Sequence, residues 1–118
     1  MKIDLSKLSK ESLAEIMKQK EEESKKEMYI VRTYSAGVFY GEIEKREGME
    51  VTMRNARRIW SWSGAASLSQ LAMEGTKKPN DCKVPCPVDK VILTQAIEIL
   101  DTTKAAQDSI EGIPVWKQ

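Results

Sequence analysis

From Met28 onward the chain alternates β-branched and aromatic residues with polar ones, and the alternation is broken only by short turn signals. MYIVRTYS, VFYGEIEKR and MEVTMRNARRIWSW, separated by AG and EG, predict three antiparallel strands with short connections. On the second, Phe39, Gly41 and Ile43 share one face while Glu42 and Glu44 point away; on the third, Val51 and Met53 alternate with Glu50, Thr52 and Arg54. One face is expected to pack and the other to meet water.

The period then changes. In SGAASLSQLAMEG, Leu68, Leu71 and Ala72 fall on one helical face, Ser67 and Gln70 fit a capping box, and Gly75 closes a short helix. TKKPNDCKVPCPVDK reads as a long surface connection, and VILTQAIEIL as a strand expected to lie centrally in the sheet. TKAAQDSIE predicts a last helix stopped by Gly112, and the tail IPVW is expected to pack Trp116 back on the body. Before all of this, residues 4–27 are rich in Lys and Glu, with Leu5, Leu8, Leu13, Ile16 and Met17 forming an apolar patch on their first half. Residues 1–27 are therefore expected to be a charged amphipathic helical extension, a solvated arm or an oligomerisation element, and 28–118 a single α+β domain. The fold class expected is α+β: a small, bent antiparallel sheet, or a partly closed barrel of the SH3 or Sm kind, with short helices.

Composition narrows the chemistry. The 118 residues suffice for one domain, and 19 basic against 18 acidic residues leave no overall field to gather DNA or an acidic membrane, so attraction for anions must be local. With neither an apolar span of about 20 residues nor a signal-peptide core, the chain is expected to be soluble and cytoplasmic. Histidine is absent, which removes the commonest neutral-pH base and metal ligand. Cys82 and Cys86, in CKVPC, match neither a redox C-x-x-C nor a complete zinc site; two thiols packed beneath a proline-bearing loop, or a half-site completed by a second subunit, are the readings left. No nucleophile and base pair stands out, so the chain reads as non-enzymatic, with no cofactor and no metal.

RRIWSWSGAASLSQ carries the candidate chemistry. In a continuous third strand, Val51, Met53 and Ile59 look inward, and Thr52, Arg54, Ala56, Arg58, Trp60 and Trp62 line the opposite face. Indoles stack on nucleobases and guanidinium groups grip phosphate, so Arg54, Arg57 or Arg58 would hold phosphate and Trp60 and Trp62 would sandwich bases. Ser67, at the start of the short helix, would complete an anion seat, with Tyr34 and Ser35 of the first turn as further candidates. The competing reading places a bulge at Asn55-Ala56, which reverses the register and buries both indoles.

The run from IVRTYSAGVF through NARRIWSWSGAASL, with VILTQAIEIL and SIEGIPVW, resembles a family of short bacteriophage and mobile-element proteins sharing a TYSAGVF and ARRxWxWxGAxSL pattern. The resemblance covers roughly Tyr29 to Trp116 and implies a phage setting, inside a host cell during infection. By analogy of chemistry, it suggests an anti-defence protein that sequesters a nucleotide second messenger, a cyclic-nucleotide sponge that is a homo-oligomer enclosing its ligand at subunit seams. The second expectation is an interaction module binding a host or phage protein, or single-stranded nucleic acid, through the Arg and Trp patch.

Overall fold

The computed structural model describes residues 26–118, so the helical extension expected before Lys26 lies outside the described residues. Five strands form one antiparallel sheet: β1 (Met28–Thr33), β2 (Val38–Glu47), β3 (Glu50–Ile59), β4 (Val88–Leu93) and β5 (Ala96–Asp101). Two short helices accompany it, α1 (Leu68–Glu74) and α2 (Lys104–Glu111), with a 3-10 turn at Pro79–Asp81. The fold is thus α+β, as the strand and helix grammar implies.

The strand order is β4-β3-β2-β1-β5, an open sheet with β4 and β5 at its two edges. VILTQAIEIL is therefore not one central strand. Thr94 and Gln95 divide it into two edge strands that pair on opposite sides of the meander, Leu93 with Val51 and Ala96 with Thr33. Those two residues curl the sheet. In a flat five-stranded sheet the edge strands stand about 19 Å apart, whereas three Cα steps from Leu93 to Ala96 reach at most about 11 Å. The Ala96 amide also donates to the Met49 carbonyl at 2.9 Å, tying the start of β5 to the β2–β3 turn.

Curling gives the sheet apolar packing on both faces, which corrects the expectation that one face meets water. On the inner face Val31, Phe39, Val51, Met53, Ala56, Leu93 and Ala96 pack together. On the other, Met28, Ile30, Val38, Tyr40 and Ile59 pack against Leu71, Ala72 and Ile110 of the helices and against Val84 and Ile113. In β2, Phe39 and Ile43 do lie with the inner cluster while Glu42 and Glu44 are exposed. A strand with apolar residues on successive positions, such as VFY, serves two cores at once.

Both helices end where the residue types dictate. Ser67 Oγ accepts the Gln70 amide at 3.1 Å, and Gln70 Oε1 accepts the Ala66 amide at 2.7 Å, a reciprocal cap displaced by one residue from the usual box. Thr103 Oγ1 caps α2 by accepting from the Ala106 amide, and Gly112 closes it. The C-terminal tail returns to the body: Val115 bridges to Val84, the Trp116 amide donates to the Val84 carbonyl at 3.0 Å, and Lys83 Nζ lies 5.6 Å from the Trp116 ring.

Candidate functional site

A bulge in β3 decides which side chains reach solvent. Asn55 has φ 51°, in the left-handed region that Asn tolerates better than most residues, and the pairing with β2 slips between Tyr40–Arg57 and Glu42–Arg54. Gly41 lies across from the bulge, where a Cβ would come within 2.8 Å of the Ala56 Cα. The extra residue puts Ala56 on the same face as Val51 and Met53, and it turns Arg57 and Ile59 to the helix-covered face. A continuous alternation through this strand is therefore corrected. The bulge reading anticipated this, yet Trp60 escapes burial: β3 ends at Ile59, and the Trp60 indole is 64% exposed.

Arg58 and Trp60 come together with the first turn. They line a shallow recess of about 220 Å³ with Ser35, Ala36, Gly37 and Ile59. The Arg58 guanidinium carbon sits 4.8 Å from the centre of the Phe39 ring, its strand partner. The turn is rigidly held. Thr33 Oγ1 donates to the Gly37 carbonyl at 2.7 Å and accepts the Ala36 amide at 2.9 Å, while Tyr34 N donates to the Gln95 carbonyl at 2.9 Å. Ser35 Oγ donates to Gln95 Oε1 at 2.9 Å, and the Tyr34 ring is largely exposed beside it. Exposed aromatic, cation and hydroxyl are thus gathered at one end of the sheet.

The other expected site residues lie elsewhere. Arg57 is only 7% exposed and acts as a bracket: Nε donates to the Pro85 carbonyl at 3.1 Å, Nη1 to Ile110 at 3.1 Å, and Nη2 to Val84 at 2.9 Å and Ile113 at 3.1 Å. Burial pushes its pKa below the ordinary arginine value. With its fork bound to four carbonyls, Arg57 fastens the loop, α2 and the tail to the sheet rather than presenting a phosphate grip. Arg54 pairs with Glu44 at 3.1 Å on the strand surface. Trp62 packs against the helix-side core and borders a different groove, with Arg32, Val38, Leu68, Ser69 and Glu98, so the two indoles do not form one sandwich. Ser67 is occupied as the cap of α1.

A larger recess, about 510 Å³, is lined in part by Arg57, and no sequence pattern marked it. Met28, Pro87, Ile113 and Val115 supply apolar wall, and Lys26, Tyr40, Glu42, Asn55, Arg57 and Glu111 the polar lining. Tyr40 donates its hydroxyl proton to Glu111 Oε2 at 2.6 Å, and Lys26 Nζ pairs with Glu111 Oε1 at 2.7 Å. Burial, then the bond to Glu111, pushes the Tyr40 phenol well above its usual range. Burial pushes the Glu111 carboxyl upward, but the hydrogen bonds from Lys26 and Tyr40 outweigh it and hold the group below the ordinary glutamate value. The one available sequence signal was a tyrosine amid apolar neighbours in β2, whose hydroxyl needs a partner when buried.

Among the described residues no group of three Cys, Asp or Glu side chains is placed to hold a metal ion, and no helix is long and apolar enough to cross a membrane. Cys82 is buried, its Sγ accepting the Ser63 amide at 3.4 Å, whereas Cys86 is exposed, so the two thiols do not pack together beneath the loop.

The described residues form a small α+β domain whose curled sheet carries the Arg58–Trp60 recess and, lined by other residues, the larger recess at Tyr40 and Glu111. The chain belongs to the family described as a domain of unknown function (DUF6948), matched over residues 26–110. No curated protein and no solved structure matches it.

Proposed function

We propose that this chain is a non-enzymatic binding module, a partly closed barrel of the SH3 or Sm kind, that sequesters a nucleotide messenger. Its setting is a phage-infected cell, where it acts as an anti-defence sponge in the cytoplasm. The observation that carries the reading is Trp60: a tryptophan left 64% exposed at the mouth of a recess that also holds Arg58 and the Ser35–Gly37 turn. An exposed indole offers a stacking face to a base, and Arg58 supplies the charge for a phosphate. Tyr34, next in sequence to Ser35 of that lining, adds a second exposed ring. The ligand set expected from sequence thus contracts to Tyr34, Ser35, Arg58 and Trp60.

A recess of about 220 Å³ falls below the roughly 300 Å³ at which small-molecule pockets begin. A cyclic oligonucleotide needs more wall than one chain supplies here, so the proposal includes a homo-oligomer that closes the site across a seam. The same shallowness favours the second reading, an open platform for single-stranded nucleic acid or a partner protein.

Thermal melting and calorimetry against mononucleotides, cyclic mono- and dinucleotides and a short single-stranded oligonucleotide separate the two. Saturation by one cyclic nucleotide, abolished in Trp60→Ala and Arg58→Ala with the fold intact, supports sequestration. Binding of the oligonucleotide alone supports the platform, and no binding by any of them overturns both nucleotide readings.

A further inference from the structure

We propose that the recess beside Tyr40 and Glu111 is a second binding site, and that it takes a primary alkylammonium group on an apolar carbon chain. It shares no residue with the Arg58–Trp60 recess, so the two proposals stand or fall separately. At about 510 Å³ it lies within the range of small-molecule pockets.

The position of the cation is marked by the protein itself. Lys26 Nζ lies 2.7 Å from Glu111 Oε1 with 60% of its side chain exposed, and Asp108 and Glu42 also act on its charge. Glu111 in direct contact, with Glu42 on the same lining, favours an ammonium at this point. Tyr40 donates to the other Glu111 oxygen, which orients the carboxylate and leaves it ionised. Glu42 is steadied by Asn55, whose Nδ2 donates to Oε2 at 2.9 Å, and Asp108 by Lys104 at 2.6 Å. Arg57, the buried cation of the lining, has its fork bound to four carbonyls; its charge acts on Glu111, but the carboxylate's hydrogen bonds come from Lys26 and Tyr40.

Beyond the carboxylate, Met28, Pro87, Ile113 and Val115 form an apolar wall that a hydrated lysine head does not fill. A ligand ammonium replacing Lys26 at Glu111 exchanges one positive charge for another and gains burial of its carbon chain against that wall. An anion of the same length meets Glu111 and Glu42, and a neutral alcohol gains the wall without the charge.

The test is a titration of the whole chain with hexylammonium, hexanol and hexanoate, followed by NMR shifts of the Met28, Ile113 and Val115 methyls. The expected order is hexylammonium, then hexanol, then hexanoate. Glu111→Gln should weaken the ammonium about tenfold and leave hexanol unchanged. Lys26→Ala should tighten it about two- to fivefold by removing the internal competitor. Nα-acetyl-lysine methylamide distinguishes the source: binding comparable to hexylammonium assigns the seat to a lysine side chain of a partner, and weaker binding assigns it to a free amine. Hexanol or hexanoate binding as well as hexylammonium to the unaltered protein overturns the proposal, as does no shift of those methyls at millimolar ammonium.

Discussion

Arg57 and Arg58 are neighbours in sequence and point to opposite faces of β3: one guanidinium is enclosed by four backbone carbonyls, the other lies over the Phe39 ring at the exposed end of the sheet. Removing Arg57 takes a charged donor from four carbonyls: Val84 and Ile110 keep a backbone amide partner, from Trp116 and Ile113, while Pro85 and Ile113 lose the guanidinium bond. Hydrogen bonds to a charged group are worth about 1.5–3 kcal/mol, so Arg57→Ala should lose about 3 kcal/mol or more. Arg57→Lys should recover little, because an ammonium cannot span the planar fork. Arg58→Ala should stay within about 0.5 kcal/mol of the parent while losing nucleotide binding. Urea denaturation of the three variants, paired with calorimetry, checks the contrast.

Gly41 is required by contact rather than by φ. A Cβ there meets the Ala56 Cα and the Arg54 carbonyl, both backbone atoms of the bulged strand. Gly41→Ala should destabilise by about 1–3 kcal/mol, and Asn55→Val, which forces a β-branched residue to positive φ, by about 1–2 kcal/mol. Asn55→Gly should cost less than either. The ranking is measurable from thermal midpoints.

Stability should fall at both ends of the pH scale for reasons centred on one hydrogen bond. The Tyr40 phenol is held protonated in the fold, mainly by burial and then by Glu111. Its contribution is complete below the ordinary tyrosine value, about 10, and is lost as pH rises beyond it. Glu111 is held below its ordinary value, so its contribution is present above about pH 4.3 and lost as pH falls further. Tyr40→Phe should flatten the alkaline limb of a urea midpoint against pH profile, and Glu111→Gln the acid limb.

Ser67 is a helix cap. Ser67→Ala should lower stability by about 1 kcal/mol, as cap removal generally does, and leave any nucleotide affinity unchanged. Calorimetric titration of this variant beside Trp60→Ala separates a cap from a ligand group.

The strands β1 to β3, both helices, the Ser67 cap and the closing Gly75 and Gly112 were legible because local signals agree there: alternation, turn residues, and a serine ahead of a helical period. Other features were less so. The split of VILTQAIEIL carries no Gly or Pro at Thr94-Gln95, so an unbroken apolar run concealed a change of partner from β3 to β1. The bulge at Asn55 was legible only as the competing reading, because it adds one residue to an otherwise regular strand, and a single-residue slip is enough to send Arg57 inward and separate it from Arg58. The Tyr40–Glu111–Lys26 group joins residues whose partners are 71 and 85 positions distant, beyond any local pattern.

The arrangement of the edges also sets an order of events. Thr102 Oγ1 donates to the Met28 carbonyl across 74 positions, and β5 follows β4 by only two residues. The β2–β3 hairpin can assemble from neighbours, but β1 must wait on a ribosome for nearly the whole chain before its outer flank is covered. Until then a strand rich in Ile and Val offers an unpaired margin, which makes synthesis, more than the finished domain, the stage most exposed to aggregation.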